Sequence, residues 1–351
     1  MSAIVWIGED APPEPAQLGG KGAGLARLAE AGLPVPPAFV VTVEGYREAV
    51  DRRLGPELER VAAGIAPDAP SAELERAAAA VRDRALEATA DHPLREELAA
   101  AYARLSERTG DAAAAVAVRS SALGEDAADR SFAGEHDTYL WVQGIEEVDL
   151  RLRECWASLY TARAIAYRAG RERTGALAMA VCVQQMVDAR SAGVFMTLDP
   201  ANGDRSSIVV ESVWGLGEPL VSGEATPDRF LIDKVTGDIV RRDVVAKPNE
   251  LARHASGRGT QPREVTAPRR DEPSLCDAEL AELTRIAKRV EERAGAPQDG
   301  EFAIADGEPP ENVRLLQCRP ETVWSQRAPR PIAGRRSALQ SVVSTLTKEH
   351  R

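Results

Sequence analysis

Two carboxylates, an amide and a guanidinium stand close together late in the chain, at Asp299, Glu301, Gln317 and Arg319. The apolar runs on either side of the turn-forming loop Asp306 to Asn312 predict a β-hairpin. Alternate side chains of a strand share a face, so Asp299, Glu301 and Ala303 point one way, and Gln317 and Arg319 share a face by the same rule. Pairing centred on Pro309 sets Glu301 opposite Gln317. A hard divalent cation takes oxygen ligands and a phosphate takes arginine, so such a face suits a metal and a phosphate together. The same residues also describe an edge hairpin with a polar, solvated face, which is the commoner case. Taken alone, they leave both readings open.

A second concentration is Gly19-Gly20-Lys21-Gly22-Ala23-Gly24, four glycines in six residues ahead of Leu25, Leu28 and Ala29 at helical spacing. Glycines at a helix N-terminus expose N–H groups, and the helix dipole adds to them, which favours an anion. Lys21 contributes a compact positive charge. It is the sole lysine in the first 233 residues of a chain whose basic residues are overwhelmingly arginine. No GK[ST] occurs, so this is not the Walker A pattern, and a flexible loop before an ordinary helix fits the same residues. Arg119-Ser120-Ser121 ends the apolar strand Ala115 to Val118. An arginine and two hydroxyls there suit phosphate, although a lone arginine after a strand is more often a surface residue.

Composition narrows the partners. A length of 351 residues allows two lobes with sizeable cores. A formal net charge of −11 and a pI near 5.1 speak against a nucleic-acid partner. Cys155, Cys182, Cys276 and Cys318 are far apart and form no CxxC pair, which argues against a zinc or disulfide framework and fits a reducing cytoplasm. Met1 to Asp10 lacks the basic and apolar regions of a signal peptide, and no apolar run approaches the roughly 20 residues that span a bilayer. The expectation is a soluble cytoplasmic protein with no membrane or nucleic-acid partner.

The elements that must position these groups are read from periodicity. Short strands are expected at Ile4 to Ile7, Phe39 to Thr42, Ala115 to Val118, Thr138 to Val142, Ala180 to Val187, Gly193 to Thr197 and Ile208 to Val213. A hairpin is expected around Val235-Thr236-Gly237. Residues 44 to 110 read as helices, Glu146 to Ala169 as one amphipathic helix, and Asp277 as the cap of a helix to Ala294. Residues 247 to 273 read as a polar surface excursion, and the stretch after Trp324 as a basic, proline-containing tail.

In this order the segments resemble the N-terminal ATP-binding domain of the phosphoenolpyruvate synthase and pyruvate phosphate dikinase family, shared with rifampicin phosphotransferases and the phenylphosphate synthase ATP-binding subunit. The resemblance is carried by GGKGAGL (19 to 25), GLPVPPAFVVT (32 to 42), VRSSALGED (118 to 126), SFAGEHDTYL (131 to 140), WASLYTARAIAYR (156 to 168), VQQMVDARSAGVFMTLDP (183 to 200), GLGEPLVSG (215 to 223) and LQCRPETVW (316 to 324). It implies an α+β, ATP-grasp fold of two lobes with mostly antiparallel sheets and flanking helices. The lobes would be 1–182, with a helical insertion, and 183–325, succeeded by a linker or tail at 326–351.

The resemblance also implies ATP and Mg²⁺ as ligands. Lys21, Arg119 and Arg319 would hold the phosphates as catalytic groups. Glu301 and Gln317 would bind Mg²⁺, with Asp299 in support. Gln184, Met186 and Val187 would meet adenine, and Glu218 would face the ribose. The implied activity is dikinase-type phosphotransfer to a histidine, releasing AMP and phosphate. None of His92, His136, His254 and His350 has a setting resembling TSHAA, so the phosphocarrier and the acceptor site are expected on a partner protein or further domain. The rival readings are an ATP-grasp ligase that forms an acyl phosphate and releases ADP, and a non-catalytic nucleotide-sensing subunit.

Overall fold

Runs of apolar and β-branched residues build two antiparallel sheets. The computed structural model describes residues 2–9, 11, 13–64, 69–122, 138–162 and 178–324. The segment 123–137, the expected helix beyond Ala162 and the tail 326–351 lie outside them. The first sheet has five strands, in the order β1 (Ile4–Trp6), β2 (Ala38–Val41), β5 (Met179–Gln185), β3 (Val116–Ala122) and β4 (Thr138–Val142). Strand β5 is buried from Met179 to Val183 without interruption, as expected of a central strand covered on both faces.

The second sheet has six strands, in the order β13 (Val313–Pro320), β12 (Gln298–Ile304), β6 (Ser191–Met196), β7 (Ser207–Trp214), β8 (Asp228–Asp233) and β9 (Ile239–Asp243). With flanking helices and no barrel among the described residues, the class is α+β, as expected.

Two hydrophobic clusters lie against these sheets, and helix α1 (Pro15–Glu30) belongs to both. Leu18, Ala23, Leu25 and Ala26 join the first cluster; Leu28, with Ala31 and Leu33 just beyond the helix, joins the second. The link continues through the backbone, because Leu315 N donates to the Pro34 carbonyl at 2.9 Å. The expected lobe boundary between 182 and 183 falls inside β5, all of which pairs within the first sheet. The helical layer before β3 comprises α2 (Val43–Tyr46), continued through a π turn into α3 (Arg52–Ala63), then α4 (Ser71–Ala88) and α5 (Arg95–Thr109).

Three expected elements differ. Helix α6 (Ile145–Ala157) stops well before Ala169, because Ser158 caps it and Ser158 Oγ bonds back to the Cys155 carbonyl. The supposed surface excursion 247 to 273 contains a paired hairpin, β10 (Asn249–Arg253) with β11 (Thr260–Glu264). It also buries Lys247 against Asp228 at 2.6 Å and Glu250 against Arg263 and Arg269. Charge hid burial there, since each buried charge is paired. After α7 (Glu218–Val221), helix α8 spans Asp277–Ala294, but Cys276 rather than Asp277 is its cap, with Cys276 N donating to Glu279 Oε2 at 2.9 Å.

Candidate functional site

The hairpin β12–β13 has the register that strand parity requires. Asp299 stands opposite Arg319, Gly300 opposite Cys318 and Glu301 opposite Gln317. The register then slips, because Phe302 pairs with Leu315 and Leu316 is left as an extra residue on β13. A bulge removes its residue from the ladder, and here it turns the Leu316 carbonyl toward the first sheet.

Arg119 crosses from β3 to meet it. Arg119 Nη2 donates to Glu301 Oε2 at 2.9 Å and to Gln317 Oε1 at 2.8 Å, while Nη1 donates to the Leu316 carbonyl at 3.2 Å. The guanidinium is only 11% exposed and Glu301 27%, so this is a shielded pair rather than a solvated surface bridge. Arg119 Nε is buried with no hydrogen-bond partner among the described residues.

Strand alternation puts Arg119 and Ser121 on one face of β3, and Ser121 is where α1 docks. Ser121 Oγ donates to the Leu18 carbonyl at 2.8 Å and accepts from Gly22 N at 3.1 Å. The helix is broken at Gly19, whose φ of 67° and ψ of 179° reverse the chain; a Cβ there would also lie 2.0 Å from the Ser121 carbonyl oxygen. Lys21 therefore sits in the first turn after the kink, partly buried, beside the strand that carries Arg119. Further along, a Cβ on Gly24 would come within 2.5 Å of the Cys318 carbonyl oxygen, so only glycine lets α1 approach β13 this closely.

The glycine run thus brings α1, which carries Lys21, against both β3 and β13. The same glycines also serve packing, since Gly19 lies against Ser121 and Gly24 against Cys318. The two serines differ from expectation. Ser121 Oγ is engaged by α1, and Ser120 is fully buried with no partner for its hydroxyl among the described residues.

Gln184 joins this face through its cross-strand pairs. Ala117 stands opposite Gln184 and Arg119 opposite Cys182, so Gln184 and Arg119 point to the same side of the first sheet. Gln184 is 2% exposed, and its Nε2 is buried with no partner among the described residues. Met186 and Val187 lie just past β5, and the Met186 N–H is already donated to the Ala115 carbonyl at 2.9 Å. Any backbone contribution to a ligand at Met186 must therefore come from another atom. Glu218 stands apart, at the start of α7. Burial raises its carboxyl above the usual range and the neighbouring Glu224 adds to that, but among the described residues no hydrogen bond or ion pair joins it to the Arg119 cluster.

The charges at the hairpin are unequal. Burial pushes Asp299 up to about 6 against the pull of Arg319, whose Nε lies 3.7 Å from Asp299 Oδ2. Burial likewise pushes the Cys318 thiol up to about 12, which removes it as a nucleophile. Glu301 and Gln317 aim two oxygens at one nitrogen, a convergence that fits a hard cation. Among the described residues no group of three His, Cys, Asp or Glu could hold a metal ion, so the acid–amide pair would share such an ion with phosphate or water. The role of the Leu316 carbonyl could not be read from residue types.

Comparison with known proteins now bears on this geometry. Phosphoenolpyruvate synthase of Aeropyrum pernix is 38% identical over 350 residues, covering 92% of this chain and 43% of its own length. The prodigiosin synthesizing transferase PigC of Serratia marcescens is 42% identical over 326 residues, covering 92% of this chain and 33% of its own length. Phosphoenolpyruvate synthase of Pyrococcus furiosus is 35% identical over 369 residues, covering 93% and 44%. The chain thus spans less than half the length of each of these relatives. Residues 15–338 match the family described as "Pyruvate phosphate dikinase, AMP/ATP-binding domain". With its α+β sheets gathered around Arg119, the chain belongs to that family of ATP-grasp-type domains.

Proposed function

We propose that the chain binds Mg·ATP between its two sheets as the nucleotide-binding part of a dikinase-type phosphotransferase. The phosphoryl acceptor would be a histidine on a further domain or separate polypeptide, with AMP and phosphate as the other products. The observation that carries this proposal is the convergence of Arg119, Glu301 and Gln317 across the two sheets, in a chain of this family. Lys21, Arg119 and Arg319 would neutralise the polyphosphate, the main requirement of phosphoryl transfer in a water-poor cleft. Gln184, whose amide N–H has no partner among the described residues, would meet the base, together with Met186 and Val187. Glu218 would face the ribose. Glu301 and Gln317 would hold Mg²⁺, supported by Asp299. When bound, Mg²⁺ would supply charge neutralisation and orientation of the phosphates. The two lobes would be the parts built on the five-stranded and the six-stranded sheet, with their boundary just past β5 rather than at 182–183, and 326–351 would be a linker or tail.

The test uses the purified chain, Mg²⁺ and ATP labelled on its β-phosphate, with and without a histidine-bearing acceptor domain supplied in trans. The expected result is AMP formation and acid-labile label on the acceptor, with no stoichiometric label on this chain alone. Lys21→Ala and Arg319→Ala should each lower transfer at least tenfold, roughly 1.4 kcal/mol in barrier. ADP as the nucleotide product would indicate ligase-type chemistry. Near-normal transfer in both variants would remove these residues from the site.

A further inference from the structure

A cation already stands at the place proposed for the metal, and that cation is Arg119. Its guanidinium holds the Glu301 carboxylate, the Gln317 amide oxygen and the bulged Leu316 carbonyl together. The pose is incomplete for the arginine, because Nε is buried without a partner among the described residues while both terminal nitrogens are engaged. A guanidinium satisfies more of its planar fork on a phosphate or carboxylate that it can meet side-on. A divalent ion and the guanidinium cannot share the same two oxygens, since like charges at contact distance repel strongly in a shielded site.

We propose that Arg119 is an exchangeable internal cation. Without nucleotide it occupies the metal-ligating oxygens and ties β3 to β12 and β13; with nucleotide it moves to phosphate and releases those oxygens to the metal. The inference rests on the phosphate and metal roles proposed above. Its consequence is order. Free divalent metal binds weakly to the nucleotide-free chain, and nucleotide and metal raise each other's affinity because each depends on the same displacement. The Arg119 side chain would then act twice, first as a latch between the sheets and afterwards as a phosphate ligand.

The experiment is calorimetric titration of the nucleotide-free full chain with Mn²⁺, in wild type, Arg119→Ala, Arg119→Gln and the double variant Arg119→Ala/Glu301→Gln. Circular dichroism serves as the check on folding. Arg119→Gln keeps an amide donor toward Glu301 and so remains informative if the alanine variant is unstable. The expected result is at least tenfold tighter Mn²⁺ binding in the single Arg119 variants than in wild type, with the gain abolished in the double variant. Equal or weaker Mn²⁺ binding in a folded Arg119 variant overturns the proposal. ATP binding by wild type is measured in parallel. If ATP fails to bind while the Mn²⁺ gain is present, the proposed function and the move of Arg119 to phosphate both fail, and only its occupation of the metal-ligating oxygens stands. If ATP binds and the gain is absent, the proposed function stands and the internal-cation assignment fails.

Discussion

Burial at Asp299 outweighs the attraction of Arg319, and the carboxyl is pushed up to about 6, with nearby Glu321 adding to the rise. The folded protein therefore holds this proton more tightly than the unfolded chain does. By linkage, the associated stability is fully present below the unfolded pKa, near 4, and is lost as pH rises through about 6. The difference amounts to roughly 3 kcal/mol at neutral pH. Asp299→Asn, which keeps the shape and removes the charge, should flatten this dependence and raise stability most at neutral pH. Urea unfolding of both proteins at about pH 4 and about pH 7 checks it, and a variant-to-wild-type difference that does not change with pH would mean the carboxyl titrates normally.

At the scale of elements, the close approach of α1 to β13 gives a prediction opposite in sign to intrinsic propensity. Alanine is favoured over glycine within a helix by about 1 kcal/mol. At Gly24, however, the added methyl would meet the Cys318 carbonyl oxygen at 2.5 Å, and neither backbone can yield alone. Gly24→Ala should lower the thermal midpoint and, by displacing Gln317 and Arg319, weaken nucleotide binding. A stabilised variant with unchanged binding would show that the contact relaxes freely.

The sequence made the hairpin legible because strand parity is rigid; from it, Glu301 opposite Gln317 could be predicted and is observed. The Leu316 bulge was not legible, since a bulge inserts one residue without demanding any particular type. Nor was the hairpin β10–β11 visible, because Lys247 and Glu250 are buried as partners of Asp228, Arg263 and Arg269, and a polar stretch does not announce which charges are paired. The end of α6 at Ala157 was missed for a different reason: the apolar period continues past the point where Ser158 caps the helix. Of the candidate site, residue types and order pointed to Lys21, Arg119 and the hairpin. That Arg119 lies directly on Glu301 and Gln317 depends on how two sheets meet, which no local pattern encodes.

For the whole molecule, the decisive feature is that its two cores share a helix. Leu18, Ala23, Leu25 and Ala26 of α1 pack with the five-stranded sheet, while Leu28, Ala31 and Leu33 pack with the six-stranded one, and Arg119 bonds across the gap. Neither sheet can lose its packing without disturbing the other. Urea unfolding monitored by tryptophan fluorescence and by far-ultraviolet circular dichroism should therefore give coincident transitions. Separate midpoints would show that the sheets melt independently. The shared helix also bears on how the chain is made. Synthesis proceeds from the N-terminus, so α1 emerges long before Val313 and Leu315, which complete the second cluster around Leu28 and Leu33. Until that hairpin leaves the ribosome, the cluster at the far end of α1 lacks part of its cover, the condition in which nascent chains aggregate or recruit chaperones.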